Sequence, residues 1–126
     1  MQSGLIDVSD LNAYEANTAK AVTLLKLLAH PVRLSILCNL MQHDEMSAGD
    51  IVKAEEHRAS QSQVSQYLAK LRQDKIVSTR RDGQTIYYHI KCPQVQAVIK
   101  TLREILCDDD GSDMLEMPTT RHVLRD

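Results

Sequence analysis

The sequence contains neither phenylalanine nor tryptophan, and its aromatic rings other than histidine belong to four tyrosines. A core must therefore be built from leucine, isoleucine, valine, alanine and methionine. Hydrophobic residues nevertheless make up 43% of the 126 residues, which suits one folded domain rather than a disordered chain.

Long apolar runs and a secretory leader are also lacking. No run approaches the roughly 18 residues that a membrane-spanning helix needs. The first ten residues do not show the basic and then apolar order of a signal peptide. The three cysteines (Cys38, Cys92 and Cys107) are too few and too scattered for a secreted disulfide framework. These absences predict a cytoplasmic protein.

Positive charge has no excess in the whole chain, whose net charge is −2, but it is unevenly distributed. Residues 57–91 contain seven lysines and arginines against Asp74 and Asp82, whereas residues 108–126 contain six acids and two bases. A basic segment inside a mildly acidic chain is typical of a surface that binds nucleic-acid phosphates. Charge alone indicates a solvated face equally well.

The hydrophobic periodicity predicts one domain over residues 10–107, between a flexible arm (1–9) and an acidic disordered tail (108–126). Within the domain the predicted order is four helices, a β-hairpin and a fifth helix, so the fold class is mainly α with a hairpin. The fifth helix is expected over residues 93–107, where apolar side chains form a broad face.

Proline and serine mark where the predicted helices begin. The first helix ends near Leu28, and Pro31 fits the first position of the second. Ser47 is the predicted cap of the third helix. Ser60 is the predicted cap of the fourth, with Gln63 in the capping-box position.

A change of period after the fourth helix predicts a hairpin. Residues 76–81 and 84–90 are rich in β-branched and tyrosine side chains, and they are separated by Asp82-Gly83. This dipeptide is typical of a tight hairpin turn in which both residues take positive φ.

The fourth helix and the hairpin together form a candidate DNA-reading unit over residues 60–90. A helix of this kind enters the major groove with its apolar stripe (Val64, Leu68 and Leu71) turned inward and its polar side chains facing the bases. The hairpin tip is expected to contact an adjacent groove or the backbone. The candidate DNA-contacting residues are Gln61, Ser62, Gln63, Ser65, Gln66 and Lys70 on the helix, and Arg80, Arg81 and Gln84 on the hairpin.

Three segments of the sequence resemble the ArsR/SmtB family of bacterial repressors. Residues 27–37 resemble the family's entry motif, residues 62–71 its recognition helix and residues 76–90 its wing. The resemblance covers residues 19–107 and implies a winged helix-turn-helix homodimer, joined through its first and last helices and bound to an imperfect palindrome in double-stranded DNA. One departure is the turn at residues 55–59, which is longer than usual for the family and bears on the angle of the recognition helix.

The positions of Cys38 and Cys107 resemble a subgroup of that family that includes BigR, SqrR and HlyU. In this subgroup a cysteine from the second helix and one from the last form a dithiol switch. The resemblance implies that the reduced form represses. A disulfide or polysulfide bridge between Cys38 and Cys107, formed in response to reactive sulfur or oxidants, would release DNA. Cys92 is assigned to packing, and no cofactor is predicted.

Two alternatives remain at this point. A metal-sensing repressor of the same family would need ligand clusters that residues 45–50 and the last helix do not offer, and the five histidines are scattered, so no metal site is predicted. A thiol-disulfide oxidoreductase would need a Cys-x-x-Cys pair, which the sequence lacks. We therefore expect a regulator rather than an enzyme.

Overall fold

The computed structural model of the protein describes residues 8–106. The predicted tail and Cys107 lie outside this range, as does the predicted arm except for its last two residues, which begin the first helix. The elements are α1 (Val8–Leu28), α2 (Pro31–His43), β1 (Met46–Ser47), α3 (Ala48–Ala54), α4 (Gln61–Gln73), β2 (Val77–Asp82), β3 (Thr85–Ile90) and α5 (Pro93–Leu106).

The junction between α1 and α2 is held by two side chains that cap the two helices. His30 is the N-cap of α2, and its Nδ1 accepts hydrogen bonds from the backbone N–H groups of Val32 (3.2 Å) and Arg33 (3.4 Å). The Arg33 guanidinium donates back to the carbonyls of Leu27 (3.0 Å) and Lys26 (3.1 Å), at the C-terminus of α1. Both caps satisfy backbone groups that a helix end leaves without partners, and they fix the bend between the helices at 93°.

His30 also reaches α4. Its Nε2 lies 3.1 Å from the hydroxyl of Tyr67, and the two rings are 4.8 Å apart. Because Nδ1 accepts from two N–H groups, the proton of the neutral ring lies on Nε2 and is donated to the Tyr67 oxygen. The predicted break at Pro31 is confirmed, and its histidine connects the break to the predicted recognition helix.

The core is aliphatic, as the composition predicts. Helix α2 is its centre, because it packs against α1, α5 and β3. The stripe of Val64, Leu68 and Leu71 on α4 is buried as predicted. The fully or nearly fully buried hydrophobic side chains are Leu28, Val32, Ile36, Leu37, Leu40, Ile51, Val64, Leu68, Leu71, Val77, Ile90, Val95 and Ile99.

The predicted hairpin is present, but its turn lies one residue further along the chain. Strands β2 and β3 pair antiparallel from Val77 with Ile90 to Asp82 with Thr85, so the turn is Gly83-Gln84. Gly83 has φ 63° and neither Asp82 nor Gln84 has positive φ, which is the pattern of a type II′ turn. The prediction of an Asp82-Gly83 turn with two positive φ angles was wrong, because a turn that needs only one such residue places its glycine first.

A short strand extends the hairpin into a three-stranded sheet with the order β1-β3-β2. Met46 pairs with Tyr88 and Ser47 with Tyr87. The sequence does not predict this strand, because two residues are too few to show the alternation of a strand. The strand attaches the hairpin to the start of α3, where the Ser47 hydroxyl accepts from the backbone N–H of Asp50 as the predicted cap.

Within residues 8–106, no individual helix is both long and apolar enough to cross a membrane. Residues 13–28 and α2 meet such a criterion only when they are taken together as a bent pair.

Replacement of His30 by alanine is expected to lower the free energy of unfolding by about 1–2 kcal/mol, since it removes an N-cap and a half-buried hydrogen-bond partner of Tyr67. The measurement is urea denaturation followed by circular dichroism. His30→Asn should recover part of the loss, because asparagine caps helices well but does not reach as far. An equal loss in His43→Ala, at the exposed end of α2, would contradict this role.

Candidate DNA interface

Helix α4 begins with a complete capping box. The Ser60 hydroxyl accepts from the backbone N–H of Gln63 (3.1 Å), and the Gln63 side-chain oxygen accepts from the backbone N–H of Ser60 (2.9 Å). Both halves of the predicted motif are therefore present, and they hold the first turn of the helix in place.

The two faces of α4 differ as DNA reading requires. Val64, Leu68 and Leu71 are buried, and Tyr67 on their flank is half-buried. Ser62 and Gln66 are one helical turn apart on the side that points away from the core. All six candidate side chains of this helix are exposed: Gln61, Ser62, Gln63, Ser65, Gln66 and Lys70.

Gln63 and Gln66, two of the candidate DNA-contacting residues on α4, are not equivalent. The side-chain oxygen of Gln63 is engaged by the capping box, whereas the side chain of Gln66 forms no hydrogen bond with a described residue. A bidentate contact to adenine uses the oxygen and the nitrogen of one amide together. Gln66 is therefore better placed than Gln63 to make that contact.

Lys70 forms an exposed ion pair at 3.4 Å with Asp74, the C-cap residue that follows α4. Such pairs are weak in water because both charges stay solvated. A DNA phosphate near Lys70 can therefore replace the Asp74 carboxylate at little cost.

The two arginines of the hairpin have different environments. The Arg80 guanidinium donates to both carboxylate oxygens of Glu45, from Nε at 2.9 Å and from Nη2 at 2.8 Å, and it lies 4.5 Å from the centre of the Tyr87 ring. The hydrogen bonds from Arg80 lower the pKa of Glu45, and the same bonds raise the pKa of Arg80. Arg81 is exposed and pairs with no carboxylate of the described residues.

Glu45 was not among the candidate residues, and no local signal would have found it, because it lies 35 residues from Arg80 in the sequence. The pair connects β2 to the residue before β1, so it fixes the hairpin to the rest of the domain. Gln84, in the turn, is exposed like Arg81. At the hairpin, Arg81 and Gln84 are therefore the candidate side chains most accessible to DNA.

Two of the three cysteines lie in the described part of the chain. Cys38 on α2 is half-buried against the core, and α2 packs against α5. Cys107 follows Leu106, the last residue of α5, and lies outside the described residues. Cys92 packs against the core, and its Sγ donates to the side-chain oxygen of Gln94 at 3.3 Å. Among the described side chains, no three His, Cys, Asp or Glu residues are grouped closely enough to hold a metal ion.

Comparison with known proteins places these features among bacterial regulators. The family model of bacterial regulatory proteins of the arsR family matches residues 30–79, from the α2 cap to the third residue of β2. The transcriptional activator HlyU of Vibrio cholerae is 43% identical over 98 residues, which cover 78% of this chain and 88% of HlyU.

Two solved structures have the same arrangement of helices and hairpin. Reduced HlyU from Vibrio cholerae matches with a TM-score of 0.69 and 43% identity, over 76% of this chain and 98% of HlyU. The transcriptional repressor BigR from Xylella fastidiosa matches with a TM-score of 0.66 and 32% identity, over 78% of this chain and 97% of BigR.

Gln66→Ala is expected to weaken binding to an operator selected from random duplexes by about 1–3 kcal/mol while leaving binding to random DNA unchanged, because it removes a base contact. Gln63→Ala should instead lower the free energy of unfolding by about 1 kcal/mol through loss of the capping box. Fluorescence anisotropy and urea denaturation measure the two effects. Equal losses on operator and random DNA for Gln66→Ala would refute base reading by this residue.

Arg81→Ala is expected to weaken binding to all DNA and to reduce the slope of log affinity against log salt by about 1, as the loss of one phosphate contact does. Arg80→Ala should change that slope less, because Glu45 already neutralises Arg80. Anisotropy titrations at several salt concentrations test both variants. Glu45→Gln is the matched control, and equal slopes for Arg80→Ala and Arg81→Ala would show that Arg80 leaves Glu45 for a phosphate.

Proposed function

This chain belongs to the arsR family of bacterial regulatory proteins, a family of DNA-binding transcriptional regulators with a winged helix-turn-helix fold. On this basis we propose that it is a cytoplasmic, dimeric repressor that binds an imperfect palindromic operator when reduced. A bridge between Cys38 and Cys107, formed in response to reactive sulfur or oxidants, releases it from DNA.

The observation that carries the DNA-binding part is the construction of α4. A capped helix with a buried apolar stripe presents its polar side chains outward, and a basic hairpin stands beside it. The major groove is wide enough to admit such a helix. In the proposed complex α4 reads bases, while Lys70, Arg81 and Gln84 contact the backbone or the neighbouring minor groove.

Exposed apolar side chains on the first and last helices support a dimer. Tyr14 (65% exposed), Val22 (44%) and Leu25 (61%) lie on α1, and Ile105 (56%) lies on α5. Large apolar side chains in this number on two helices are typical of an interface surface. A twofold dimer through α1 and α5 would present two copies of α4 to half-sites about one DNA turn apart, roughly 34 Å.

The proposed switch follows ordinary thiol chemistry. One cysteine thiolate attacks a terminal sulfur of an inorganic polysulfide, becomes a persulfide and releases the polysulfide shortened by one sulfur. The second thiolate attacks the inner sulfur of that persulfide. The products are a disulfide and, after uptake of one proton, hydrosulfide, which carries away the two electrons lost by the protein thiols.

Several features of the chain support Cys38 and Cys107 as this pair. Helix α2 carries Cys38 and packs against α5, whose last described residue, Leu106, directly precedes Cys107. One of the matching structures is that of reduced HlyU, so the redox state is specified for that relative. A bridge would close a loop of about 70 residues, which the chain-entropy model values at about 4 kcal/mol. That term stabilises the folded over the unfolded protein. A bridge also selects the arrangement of α2 and α5 in which the two sulfurs can join, and with it the spacing of the two α4 helices.

The experiment compares DNA binding of the reduced protein before and after treatment with sodium tetrasulfide. Wild type is expected to bind the selected operator under reductant and to lose at least tenfold in affinity after treatment, a change of about 1.4 kcal/mol in binding free energy. Cys38→Ser and Cys107→Ser should bind but not respond. Cys92→Ser is the matched control and should respond as wild type does.

Mass spectrometry of the treated protein identifies the bridge. A mass change that corresponds to a disulfide or an inserted sulfur chain between the peptides of Cys38 and Cys107 is expected. A response that persists in both serine variants would overturn the switch and leave the DNA-binding role intact. Loss of operator binding on addition of stoichiometric zinc, with no response to tetrasulfide, would favour a metal-sensing repressor instead.

A further inference from the structure

Glu55 is the one buried charged side chain among the described residues, with none of its surface accessible to water. Burial of a carboxylate carries a large free-energy cost unless hydrogen bonds compensate it. It lies in the turn at residues 55–59, the segment that separates α3 from the recognition helix. Packing of the core does not account for a buried carboxylate in this turn.

The Glu55 carboxylate is held by α2. Its Oε2 accepts from the Ser35 hydroxyl at 2.7 Å and from the Asn39 side-chain amide at 3.2 Å. Ser35 and Asn39 are four residues apart, so α2 presents both donors from adjacent turns of one face. The other oxygen, Oε1, accepts no hydrogen bond from a described residue and lies 3.9 Å from Nε of Arg58.

The backbone of the same residue shapes the turn. Its N–H donates to the carbonyls of Ile51 (3.1 Å) and Val52 (3.3 Å), which ends α3. Its carbonyl accepts from the N–H groups of Arg58 (2.8 Å) and Ala59 (3.0 Å), which brings the chain to Ser60, the N-cap of α4. The end of α3, the turn and the start of α4 therefore meet at a residue whose side chain is fixed to α2.

We propose that Glu55 is a positioning residue for DNA recognition, which sets the angle of α4 relative to α2 through its hydrogen bonds to Ser35 and Asn39. Apolar contacts hold α4 against the core but do not fix its direction, because they are not directional. The carboxylate supplies that direction at the turn from which α4 departs. The inference rests on the DNA-binding role proposed above.

This role predicts a loss of sequence discrimination without a loss of DNA binding. Glu55→Leu replaces the carboxylate with an apolar group of similar volume and leaves Ser35 and Asn39 without their acceptor, so a lower melting temperature is expected beside the effect on DNA. The ratio of affinities for operator and random DNA is expected to fall about tenfold, the equivalent of one impaired base contact. Affinity for random DNA should stay within about twofold of wild type, because phosphate contacts tolerate small changes of angle.

Two further variants separate positioning from general stability. Glu55→Gln keeps an oxygen that can accept from both Ser35 and Asn39. It is expected to retain the wild-type ratio of affinities for operator and random DNA. Glu56→Leu alters the neighbouring exposed acid and should behave as wild type. Should Glu55→Leu not fold, Ser35→Ala provides the test, since it removes the shorter of the two bonds and should lower the same ratio.

The affinities are measured by anisotropy, with circular dichroism melting curves for each variant. An unchanged ratio in folded Glu55→Leu, or in folded Ser35→Ala if the leucine variant does not fold, would overturn the positioning role. A loss in Glu55→Gln equal to that in Glu55→Leu would also overturn it. Wild-type protein that binds neither DNA would refute the proposed function itself, so the two failures are distinguishable.

Discussion

The cap that His30 forms on α2 is the contact on which the arrangement of the helices depends. One imidazole accepts from the first N–H groups of α2 and donates to Tyr67 on α4. Together with Arg33, which caps α1, it fixes the bend at which α2 leaves α1. Helix α2 in turn carries Cys38 and the donors to Glu55. The positions of the recognition helix and of the proposed switch therefore both depend on this junction.

Directional contacts matter here because the core is aliphatic. Packing of leucine, isoleucine and valine favours burial but permits several orientations of neighbouring elements. Each element that would face DNA is oriented by a polar contact with a partner elsewhere in the chain. Glu55 orients the start of α4, Tyr67 orients its face, and the Glu45–Arg80 pair orients the hairpin. The core thus supplies stability, whereas a few polar groups set the orientation of the elements that would face DNA.

The fold could be predicted well where the determining interactions are local. The capping box of Ser60 and Gln63, the break at Pro31 and the stripe of Val64, Leu68 and Leu71 depend on residues within one or two helical turns. These signals also carried the resemblance to the arsR family, which the comparisons confirmed. The position of the hairpin turn was not predicted correctly from local sequence. The same glycine is compatible with two turn types, and the pairing of the strands decides between them.

The sequence by itself determined the helices, their caps, the apolar stripe of α4 and the family. Only the tertiary structure decided that Arg80 pairs with Glu45, that Glu55 is buried against Ser35 and Asn39, and that His30 reaches Tyr67. These partners are 16 to 37 residues apart in the chain. No periodicity or cap relates residues at such separations, and they meet only because the packed core brings their helices and strands together.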